Sequence, residues 1–322
     1  MNAFRLAFLD AATFGVVTLT RFEEAADCVA HELTEGEELP ERLADRQCAV
    51  INKFVLDRAR LEHPSAAQLE LIAVGATGTD NVDIACARER GIAVCNVPGY
   101  ATTAVAQYTL ALILELATQA ARYAQGTRMG DWQESTIFTR HDYPSFELQG
   151  RVLGIVGYGN IGRKVAEMAR VFGLEVIVAG RVGEEGRQPD RLPLEEVLRQ
   201  ADFVSLHCPL TPVTQGFINP HSLSLMKPTA YLVNTARGGL VDEAALIEAL
   251  EQGTIAGAAL DVISQEPPDE GHPMMEAAAR LDNLLITPHC AWAARETRQR
   301  LMDEVFENID AFRRGERRNR VD

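Results

Sequence analysis

Three side chains suited to binding a carboxylate and moving a proton follow short apolar runs in the second half of the chain. Arg237 stands among small residues, so its planar guanidinium has room to bind a carboxylate through two N–H groups. His289 can donate or accept a proton near neutral pH, and Glu266 could hold its imidazole and favour the charged ring. The alternative for each residue alone is a purely structural role. Because all three follow predicted strands, where ligands bind parallel sheets, we interpret them as one catalytic site.

The element that would position this site begins with an apolar run at 152–156, which predicts a buried strand. The run ends in a glycine motif formed by Gly157, Gly159 and Gly162, and residues with helical spacing follow it. In such a unit the first glycine permits a tight turn, the second lets a pyrophosphate approach the backbone, and the third lets the helix pack closely. An ordinary turn is the alternative, but a second apolar run at 174–179 favours dinucleotide binding.

The choice between NAD and NADP is encoded where the second strand ends. NAD-preferring folds place an acidic residue there, about 20 residues after the glycines, to bind the ribose 2′-hydroxyl. This chain has Gly180 and then Arg181 at that point, and a guanidinium suits a 2′-phosphate. The sequence therefore favours NADP(H) as the cofactor. Glu184 and Glu185 follow closely enough for one of them to reach the ribose, so NAD(H) stays the alternative.

Composition limits the class of protein and its partners. A chain of 322 residues with 47% apolar residues is sufficient for about two domains with sizeable cores. The net charge of −15 argues against nucleic acid and anionic membranes as partners. The six cysteines are scattered without paired spacing, which predicts reduced core thiols, a cytoplasmic location and no metal site. The N-terminus lacks a signal-peptide pattern, and no apolar stretch is long enough to span a bilayer.

Short apolar runs alternate with helical patterns along the chain, which predicts two parallel α/β domains. We place the strands of the first domain at 6–9, 28–30, 48–51, 71–74 and 92–95, and those of the second at 152–156, 174–179, 203–206, 230–234, 255–260 and 284–287. A helix capped by Thr102 or Thr103 is predicted to run to about Arg122. The last helix carries an apolar stripe, and we expect the basic cluster at 313–320 to be solvated.

Two loops of the first domain also follow strands directly, one with Lys53 and the other at 76–81. Both lie where ligands bind open parallel sheets. The alternative for Lys53 is an ordinary solvated lysine.

A polar segment at 126–149 carries Trp132, Phe138, Tyr143 and Phe146. Exposed aromatic residues on a long loop often pack on a partner subunit, and we favour that interpretation. The alternative is that these rings cover their own domain.

Five ordered motifs resemble those of the D-isomer-specific 2-hydroxyacid dehydrogenase family, and the resemblance extends over essentially the whole chain. The motifs are Gly157-x-Gly159-x-x-Gly162, His207-Cys208-Pro209-Leu210-Thr211, Asn234-Thr235-Ala236-Arg237-Gly238-Gly239, Asp261-x4-Glu266-Pro267 and Thr287-Pro288-His289. Asn52-Lys53 and Trp292 are similar to the branch that contains glycerate dehydrogenase, hydroxypyruvate reductase and glyoxylate reductase. The aspartate that is commoner in the family at position 180 is absent, which puts NAD in doubt.

The resemblance implies an NAD(P)H-dependent reductase of small 2-oxo acids to D-2-hydroxy acids, with hydroxypyruvate or glyoxylate as the substrate. It implies that His289 is the general acid, that Glu266 is its partner, and that Arg237 binds the substrate carboxylate and carbonyl. The other implied substrate contacts are Lys53, the backbone N–H groups of Thr77 and Gly78, and Trp292. The implied cofactor contacts are Gly157, Gly159, Asn160, Ile161, Gly162, Arg181, His207, Cys208, Pro209, Thr214, Thr235, Ala236, Asp261 and His289.

The resemblance also implies two doubly wound α/β domains, with a Rossmann coenzyme domain at 98–289 inserted into a flavodoxin-like substrate domain formed by 1–97 and 290–322. An arm at about 123–150 would join two copies into a homodimer. A non-catalytic NAD(H)-sensing binding module of the corepressor type is the competing hypothesis, and the complete Arg, Glu and His set favours the enzyme. A family member that acts on a different 2-hydroxy acid is the second alternative.

Overall fold

The computed structural model of the chain describes residues 3–184 and 190–322. The chain divides into two compact units, each of which contains a parallel sheet. Unit 1 consists of Met1–Ala101 and Ala293–Asp322, and unit 2 consists of Thr102–Trp292. Unit 2 is therefore inserted in sequence into unit 1.

The described residues form eleven strands and twelve α-helices. The strands are β1 (Arg5–Phe8), β2 (Asp27–Ala30), β3 (Cys48–Ile51), β4 (Leu71–Val74), β5 (Ala93–Cys95), β6 (Val152–Val156), β7 (Glu175–Val178), β8 (Phe203–Leu206), β9 (Tyr231–Asn234), β10 (Gly257–Leu260) and β11 (Leu284–Ile286). The α-helices are α1 (Thr20–Ala25), α2 (Leu39–Leu43), α3 (Arg58–Glu62), α4 (Ile84–Glu89), α5 (Thr102–Thr118), α6 (Ala120–Met129), α7 (Asn160–Val171), α8 (Leu194–Gln200), α9 (Pro220–Leu225), α10 (Glu243–Glu251), α11 (Pro273–Arg280) and α12 (Arg295–Arg313). Short 3₁₀ helices span Ala11–Phe14, Pro64–Ala66 and Gly238–Leu240.

The strand orders identify the two sheets. Unit 1 has the order β2-β1-β3-β4-β5, which is the flavodoxin-like arrangement. Unit 2 has the order β11-β10-β9-β8-β6-β7, and a parallel bridge between Ala179 and Leu192 adds a short pairing beyond β7. Successive strands are added first on one side of β6, with β7 and the pairing at Leu192, and then on the other side, from β8 to β11. This change of side at β6 is typical of the Rossmann fold.

Helices cover both faces of the sheet in unit 2, as a parallel sheet requires. On one face, α5 and α7 contribute Ile113 and Val165 to a core that includes Leu153 of β6. On the other face, α8 and α10 contribute Val197 and Leu246 to a second core. Successive side chains of a strand point to opposite faces, so a fully apolar strand fits between two cores. The predicted fold class, two doubly wound parallel-sheet α/β domains, is confirmed, and the strands lie where the apolar runs predict them.

The long helix predicted from Thr102 or Thr103 to about Arg122 is wrong at its C-terminal end. Helix α5 begins at Thr102 and stops at Thr118 because Gln119 adopts a left-handed conformation with φ of 54°. The chain then forms α6, and the Glu115 carboxylate accepts a hydrogen bond from an N–H group in its first turn. The polar segment from 126, which we interpreted as a long loop, is therefore helical as far as Met129.

The aromatic residues that follow α6 are of two kinds. Trp132 and Phe138 are 54% and 88% exposed. Tyr143 instead packs edge-on against Tyr123 at 4.9 Å between ring centroids. Phe146 stacks on Tyr231 of β9 and packs at a tilt against Phe203 of β8. Tyr143 and Phe146 are half-buried and pack within their own unit. The expectation that the four aromatic residues face a partner subunit stays a prediction.

The basic C-terminal cluster is not simply solvated. Arg318 donates a hydrogen bond to Oε2 of Glu304 at 2.7 Å, and Arg320 forms an ion pair with Asp322 at 2.5 Å. An antiparallel bridge between Arg320 and Cys95 joins the tail to β5. The expectation of a solvated cluster is therefore wrong for these two arginines. Among the described residues, no helix combines the length and the apolar character needed to cross a membrane.

Candidate active site

In the glycine loop after β6, the packing of the chain requires a glycine at two of the three positions and leaves space for a side chain at the third. Gly157 has φ of 96°, and a Cβ there would lie 2.3 Å from the backbone nitrogen of Cys208. A Cβ on Gly162 would lie 2.2 Å from the oxygen of Gly157. A Cβ on Gly159 would meet nothing within 4 Å. The missing side chain at Gly159 thus serves no internal packing, and it leaves the loop open to a close-approaching ligand.

Helix α7 begins at this loop and supplies the second half of an anion site. Gly159 is its N-cap, so no side chain occupies the cap, and Asn160 and Ile161 form the start of the helix. The first N–H groups and the positive end of a 12-residue helix favour a phosphate at this position. The described residues therefore fit the pyrophosphate of a dinucleotide.

The segment after β7 carries the residues predicted to select the cofactor. The N–H group of Gly180 donates to Leu192 at 2.8 Å, which fixes the strand end. The Arg181 side chain is 72% exposed and pairs with Glu184, with 3.1 Å between Nη1 and Oε1. An exposed guanidinium with an acidic neighbour is available to a phosphate that displaces the carboxylate. Glu185 lies outside the described residues.

The segment after β8 approaches the glycine loop through its backbone. The Nε2 atom of His207 lies 2.9 Å from the Ser205 hydroxyl, and burial lowers the pKa of His207 to about 4. Burial raises the pKa of the Cys208 thiol to about 11, so this thiol stays protonated. The Thr214 hydroxyl donates to the Pro209 carbonyl at 2.8 Å, so it shapes the loop between them.

The low pKa of His207 predicts a pH-dependent stability. The unfolded chain binds this proton with an ordinary pKa near 6.5, whereas the folded protein binds it only near pH 4. The unfolded state therefore binds more protons between these values, and the free energy of unfolding should fall as pH falls below 6.5. Between pH 7 and pH 5 we expect a loss of about 1–2 kcal/mol that His207→Asn removes. Urea unfolding at both pH values measures it, and an unchanged difference in the variant would contradict this assignment.

The turn after β9 holds the backbone of Arg237. Asn234 is fully buried, and its Oδ1 accepts a hydrogen bond from the N–H group of Ala236 at 3.0 Å. Its Nδ2 donates to the Arg237 carbonyl at 2.9 Å, and Nη1 of Arg237 donates to the Ala236 carbonyl at 2.8 Å. The Thr235 hydroxyl lies 2.9 Å from that of Thr109. The amide side chain of Asn234 thus forms a small turn that presents the guanidinium.

Asp261, at the end of β10, faces the backbone around His289. Its carboxylate is 1% exposed and accepts hydrogen bonds from the Thr287 hydroxyl at 2.6 Å and from the N–H groups of Cys290 and Ala291 at 3.0 and 2.8 Å. His289 has φ of 50°, a conformation that is uncommon outside glycine. We infer that these three bonds hold the chain in this turn.

The thiol of Cys290 donates to the Tyr108 oxygen at 3.1 Å, and burial raises the pKa of Tyr108 to about 12. This tyrosine is therefore a neutral hydroxyl beside the turn. Sequence reasoning missed Tyr108 because nothing in an apolar helix distinguishes it from a core residue.

The structure brings His289 and Glu266 together. Nδ1 of His289 lies 2.5 Å from Oε2 of Glu266, and the two side chains are 24% and 31% exposed. A cavity of about 360 Å³ lies beside the pair and has mainly apolar walls, including Ile263, Met275 and Ile286. Because β9, β10 and β11 are neighbouring parallel strands, the segments that carry Arg237, Glu266 and His289 leave the same edge of the sheet. Trp292 is half-buried in the same unit.

In unit 1, a buried carboxylate that sequence reasoning missed holds the loop with Lys53. Asp10 is 3% exposed and accepts hydrogen bonds from the N–H groups of Asn52, Lys53 and Phe54 at 3.0, 2.6 and 2.8 Å. These three bonds determine how the loop leaves β3. Asp10 lies two residues after β1, and Asn52 follows β3 directly, so a polar residue just after a strand was a usable signal.

Thr77 and Gly78 lie in the loop after β4. The Thr77 hydroxyl donates to the Val97 carbonyl at 2.9 Å, and the Thr77 carbonyl accepts from Nδ2 of Asn96 at 2.7 Å. This loop is therefore tied to the segment that follows β5. Lys53, Thr77 and Gly78 all lie after strands at the carboxyl edge of the sheet in unit 1.

The glycine loop, the helix start and the ionisable residues at the carboxyl edge define the class: unit 2 is a Rossmann-type dinucleotide-binding domain with a candidate acid–base pair. The sequence profile described as "D-isomer specific 2-hydroxyacid dehydrogenase, NAD binding domain" matches residues 110–291. The chain therefore belongs to the D-isomer specific 2-hydroxyacid dehydrogenase family.

Comparisons with individual proteins are consistent with membership of this family. Glycerate dehydrogenase from Methylorubrum extorquens is 40% identical over 319 residues, which cover 99% of each chain. A crystal structure of a protein from Thermus thermophilus matches with a TM-score of 0.86 at 37% identity, over 99% of this chain and 100% of the other. NADPH-dependent glyoxylate/hydroxypyruvate reductase from Sinorhizobium meliloti matches with a TM-score of 0.81 at 30% identity, over 98% and 97%. The chain is an oxidoreductase that acts on a small 2-hydroxy or 2-oxo acid with a nicotinamide cofactor.

Proposed function

We propose that this chain reduces hydroxypyruvate and glyoxylate to the corresponding 2-hydroxy acids, with NADPH as the preferred cofactor and His289 as the proton donor. The observation that carries the proposal is the hydrogen bond of 2.5 Å between Nδ1 of His289 and Oε2 of Glu266 at the carboxyl edge of a dinucleotide-binding sheet. The names of the relatives from M. extorquens and S. meliloti support the choice of substrates.

The cofactor is held by the glycine loop and by the segments that leave the same edge of the sheet. Gly159 and the first turn of α7 bind the pyrophosphate, and Arg181 binds the adenosine end. The segments at 207–209 and 234–236, together with Asp261, line the rest of the cofactor site. When bound, the nicotinamide supplies the hydride that reduces the keto carbon.

Arg237 binds and orients the substrate. Its guanidinium takes the carboxylate through two N–H groups, and its charge stabilises the negative charge that develops on the keto oxygen. The turn built by Asn234 supports this role because it fixes the backbone on both sides of the side chain. Lys53 and the backbone N–H groups of Thr77 and Gly78 in unit 1 stay predicted substrate contacts.

His289 supplies the proton. In this role Glu266 accepts the Nδ1–H of the ring and fixes its tautomer and orientation. Nε2 then donates its proton to the keto oxygen as the carbon is reduced. In the reverse direction the same nitrogen accepts the hydroxyl proton of the 2-hydroxy acid.

The preference for NADPH follows from the end of β7. Gly180 stands where NAD-preferring folds carry an acid, and Arg181 follows it with an exposed side chain. A 2′-phosphate can take the place of the Glu184 carboxylate on that guanidinium. The name of the relative from S. meliloti, an NADPH-dependent reductase, supports this preference.

Replacing Arg181 by alanine should raise the KM for NADPH by about 10-fold or more, because a hydrogen-bonded charge pair contributes about 1.5–3 kcal/mol. The KM for NADH should change by less than about 3-fold, because its ribose hydroxyl carries no charge to lose. Initial rates at saturating hydroxypyruvate measure both constants. The matched control is Arg199→Ala, an exposed arginine on α8 that also pairs with a glutamate. Equal effects of Arg181→Ala on both cofactors would refute the role of Arg181.

The proposal as a whole is tested by following NADPH and NADH oxidation in parallel with hydroxypyruvate, glyoxylate and pyruvate. We expect the highest kcat/KM with NADPH and either hydroxypyruvate or glyoxylate. Activity with NADH alone would retain the reductase and contradict the cofactor preference. Absence of turnover with all three acids, in protein shown to bind a cofactor, would contradict the proposed substrates.

A further inference from the structure

The loop that carries Glu266 depends on support from outside itself. It connects β10 to α11 without forming a helix or strand, and it is exposed from residue 264 to residue 271. Oε1 of Glu266 accepts a hydrogen bond from the N–H group of Ile263 at 3.0 Å, which is a bond within the loop. The placement of the loop therefore determines whether Oε2 meets the imidazole of His289.

Glu243 holds this loop from helix α10. It is the first residue of the helix, and its side chain is 16% exposed. Oε1 accepts a hydrogen bond from the N–H group of Ser264 at 2.6 Å, and Oε2 accepts one from the Ser264 hydroxyl at 2.9 Å. Two bonds from one carboxylate fix both the position and the rotation of Ser264. Ser264 lies two residues before Glu266, so its placement sets that of the carboxylate.

The Glu266 loop also packs against the turn that carries Arg237. A Cβ on Gly238 would lie 2.0 Å from the carbonyl oxygen of Ile263, so these two segments pack backbone against backbone. Gly238–Leu240 forms a 3₁₀ helix that leads directly to Glu243. The hydrogen bonds from Glu243 to Ser264 therefore hold the Glu266 loop one residue beyond its close approach to Gly238.

His272 also faces this carboxylate. Its ring is 8% exposed, with Nε2 at 3.9 Å from Oε2 of Glu243, and its Nδ1 accepts a hydrogen bond from the N–H group of Met274. At that distance the ring neighbours the carboxylate without a direct hydrogen bond. The bonds to Ser264 are thus the ones that transmit the position of Glu243.

We propose that Glu243 is a positioning residue for the reduction, which acts through Ser264 to set the hydrogen bond between Glu266 and His289. This inference rests on the proposed role of His289 as the proton donor. Glu243 is not among the residues that we assign to substrate or cofactor contacts. Because a displacement of about 1 Å at a catalytic group can cost about 10²-fold in rate, and because Ile263 still holds Glu266, we expect Glu243→Ala to lower kcat by about 10-fold.

The test is a double-mutant cycle on kcat with Glu243→Ala and Glu266→Gln, measured with hydroxypyruvate at saturating cofactor. If Glu243 acts through Glu266, its replacement should lower kcat by about 10-fold in the wild-type background and by less than about 2-fold in the Glu266→Gln background. The dissociation constant of the cofactor should stay within about 2-fold in every variant, because the glycine loop is untouched.

Two further variants complete the design. Ser264→Ala removes one of the two bonds without altering α10, and we expect a loss of about 3–5-fold in kcat that is also absent beside Glu266→Gln. If Glu243→Ala does not fold, Ser264→Ala is used in its place in the double-mutant cycle. Glu248→Ala is the matched control, since Glu248 is an exposed glutamate of the same helix that bonds only to a neighbouring glutamine among the contacts described.

An equal loss of kcat in both backgrounds, or no loss in the wild-type background, would overturn the inference and leave the proposed function intact. Failure of the proposed function has a different signature, because the wild-type protein itself would then lack turnover with these acids, and both proposals would fall together.

Discussion

Replacing His289 by alanine should lower kcat for hydroxypyruvate reduction by about 10²–10⁴-fold, because general acid catalysis by a positioned side chain contributes about that factor. The dissociation constants of NADPH and NADH should change little, since the glycine loop and Arg181 stay in place. Stopped-flow measurement of a single turnover separates the chemical step from product release. The matched control is His221→Ala, because the His221 side chain is 71% exposed in the same unit.

A kcat for His289→Ala within a few-fold of the wild type would remove His289 from the reaction. In that case the 2.5 Å bond to Glu266 would be a structural feature of the turn at the end of β11. Loss of activity together with a large loss of cofactor affinity would also contradict the assignment, because it would indicate damage to the dinucleotide site.

Replacing Arg237 by lysine should have the second largest effect. Lysine keeps the positive charge and loses the planar pair of N–H groups, and two hydrogen bonds to a carboxylate contribute roughly 3–4 kcal/mol. We therefore expect kcat/KM for the 2-oxo acid to fall by about 10²–10³-fold. Steady-state kinetics at saturating cofactor measures it.

The control for Arg237→Lys is Arg199→Lys on α8, which changes an exposed arginine of the same unit. If Arg237→Lys kept a normal kcat/KM, a point charge would be sufficient, and bidentate recognition of the carboxylate would be wrong. If the cofactor dissociation constant rose in parallel, Arg237 would belong to the cofactor site instead.

Much of the fold was predictable because parallel strands buried on both faces have a strong signature. The runs at 48–51, 71–74 and 203–206 coincide with β3, β4 and β8. The candidate site was predictable for a related reason. Segments that leave neighbouring parallel strands emerge at the same edge, so Glu266 and His289 could be expected close together although 23 residues separate them.

The supporting carboxylates were not predictable to the same degree. Asp10, Asp261 and Glu243 each accept hydrogen bonds from backbone N–H groups that come from other parts of the chain. Such bonds depend on loop conformation, which the periodicity of apolar residues does not encode. Glu243 in particular has the sequence pattern of an ordinary acidic residue in the first turn of a helix.

Tertiary contacts also overrode two local patterns. The apolar and helix-favouring sequence around residue 119 predicts a continuous helix, yet Gln119 is left-handed and the helix divides there. Both phenylalanines after α6 lie in the same polar segment, yet Phe146 packs on the rings of β8 and β9 while Phe138 is 88% exposed. Only the packing of the whole unit distinguishes these two rings.

The reaction that we propose transfers a hydride from a nicotinamide to C2 of a 2-oxo acid and so forms a D-2-hydroxy acid. The most direct measurement is NMR and chiral analysis of the product formed from hydroxypyruvate and NADPH that carries deuterium at both C4 positions. We expect D-glycerate with one deuterium at C2 for each NADPH oxidised. Glycerate without deuterium at C2, the L-isomer, or no glycerate from protein that binds NADPH would contradict it.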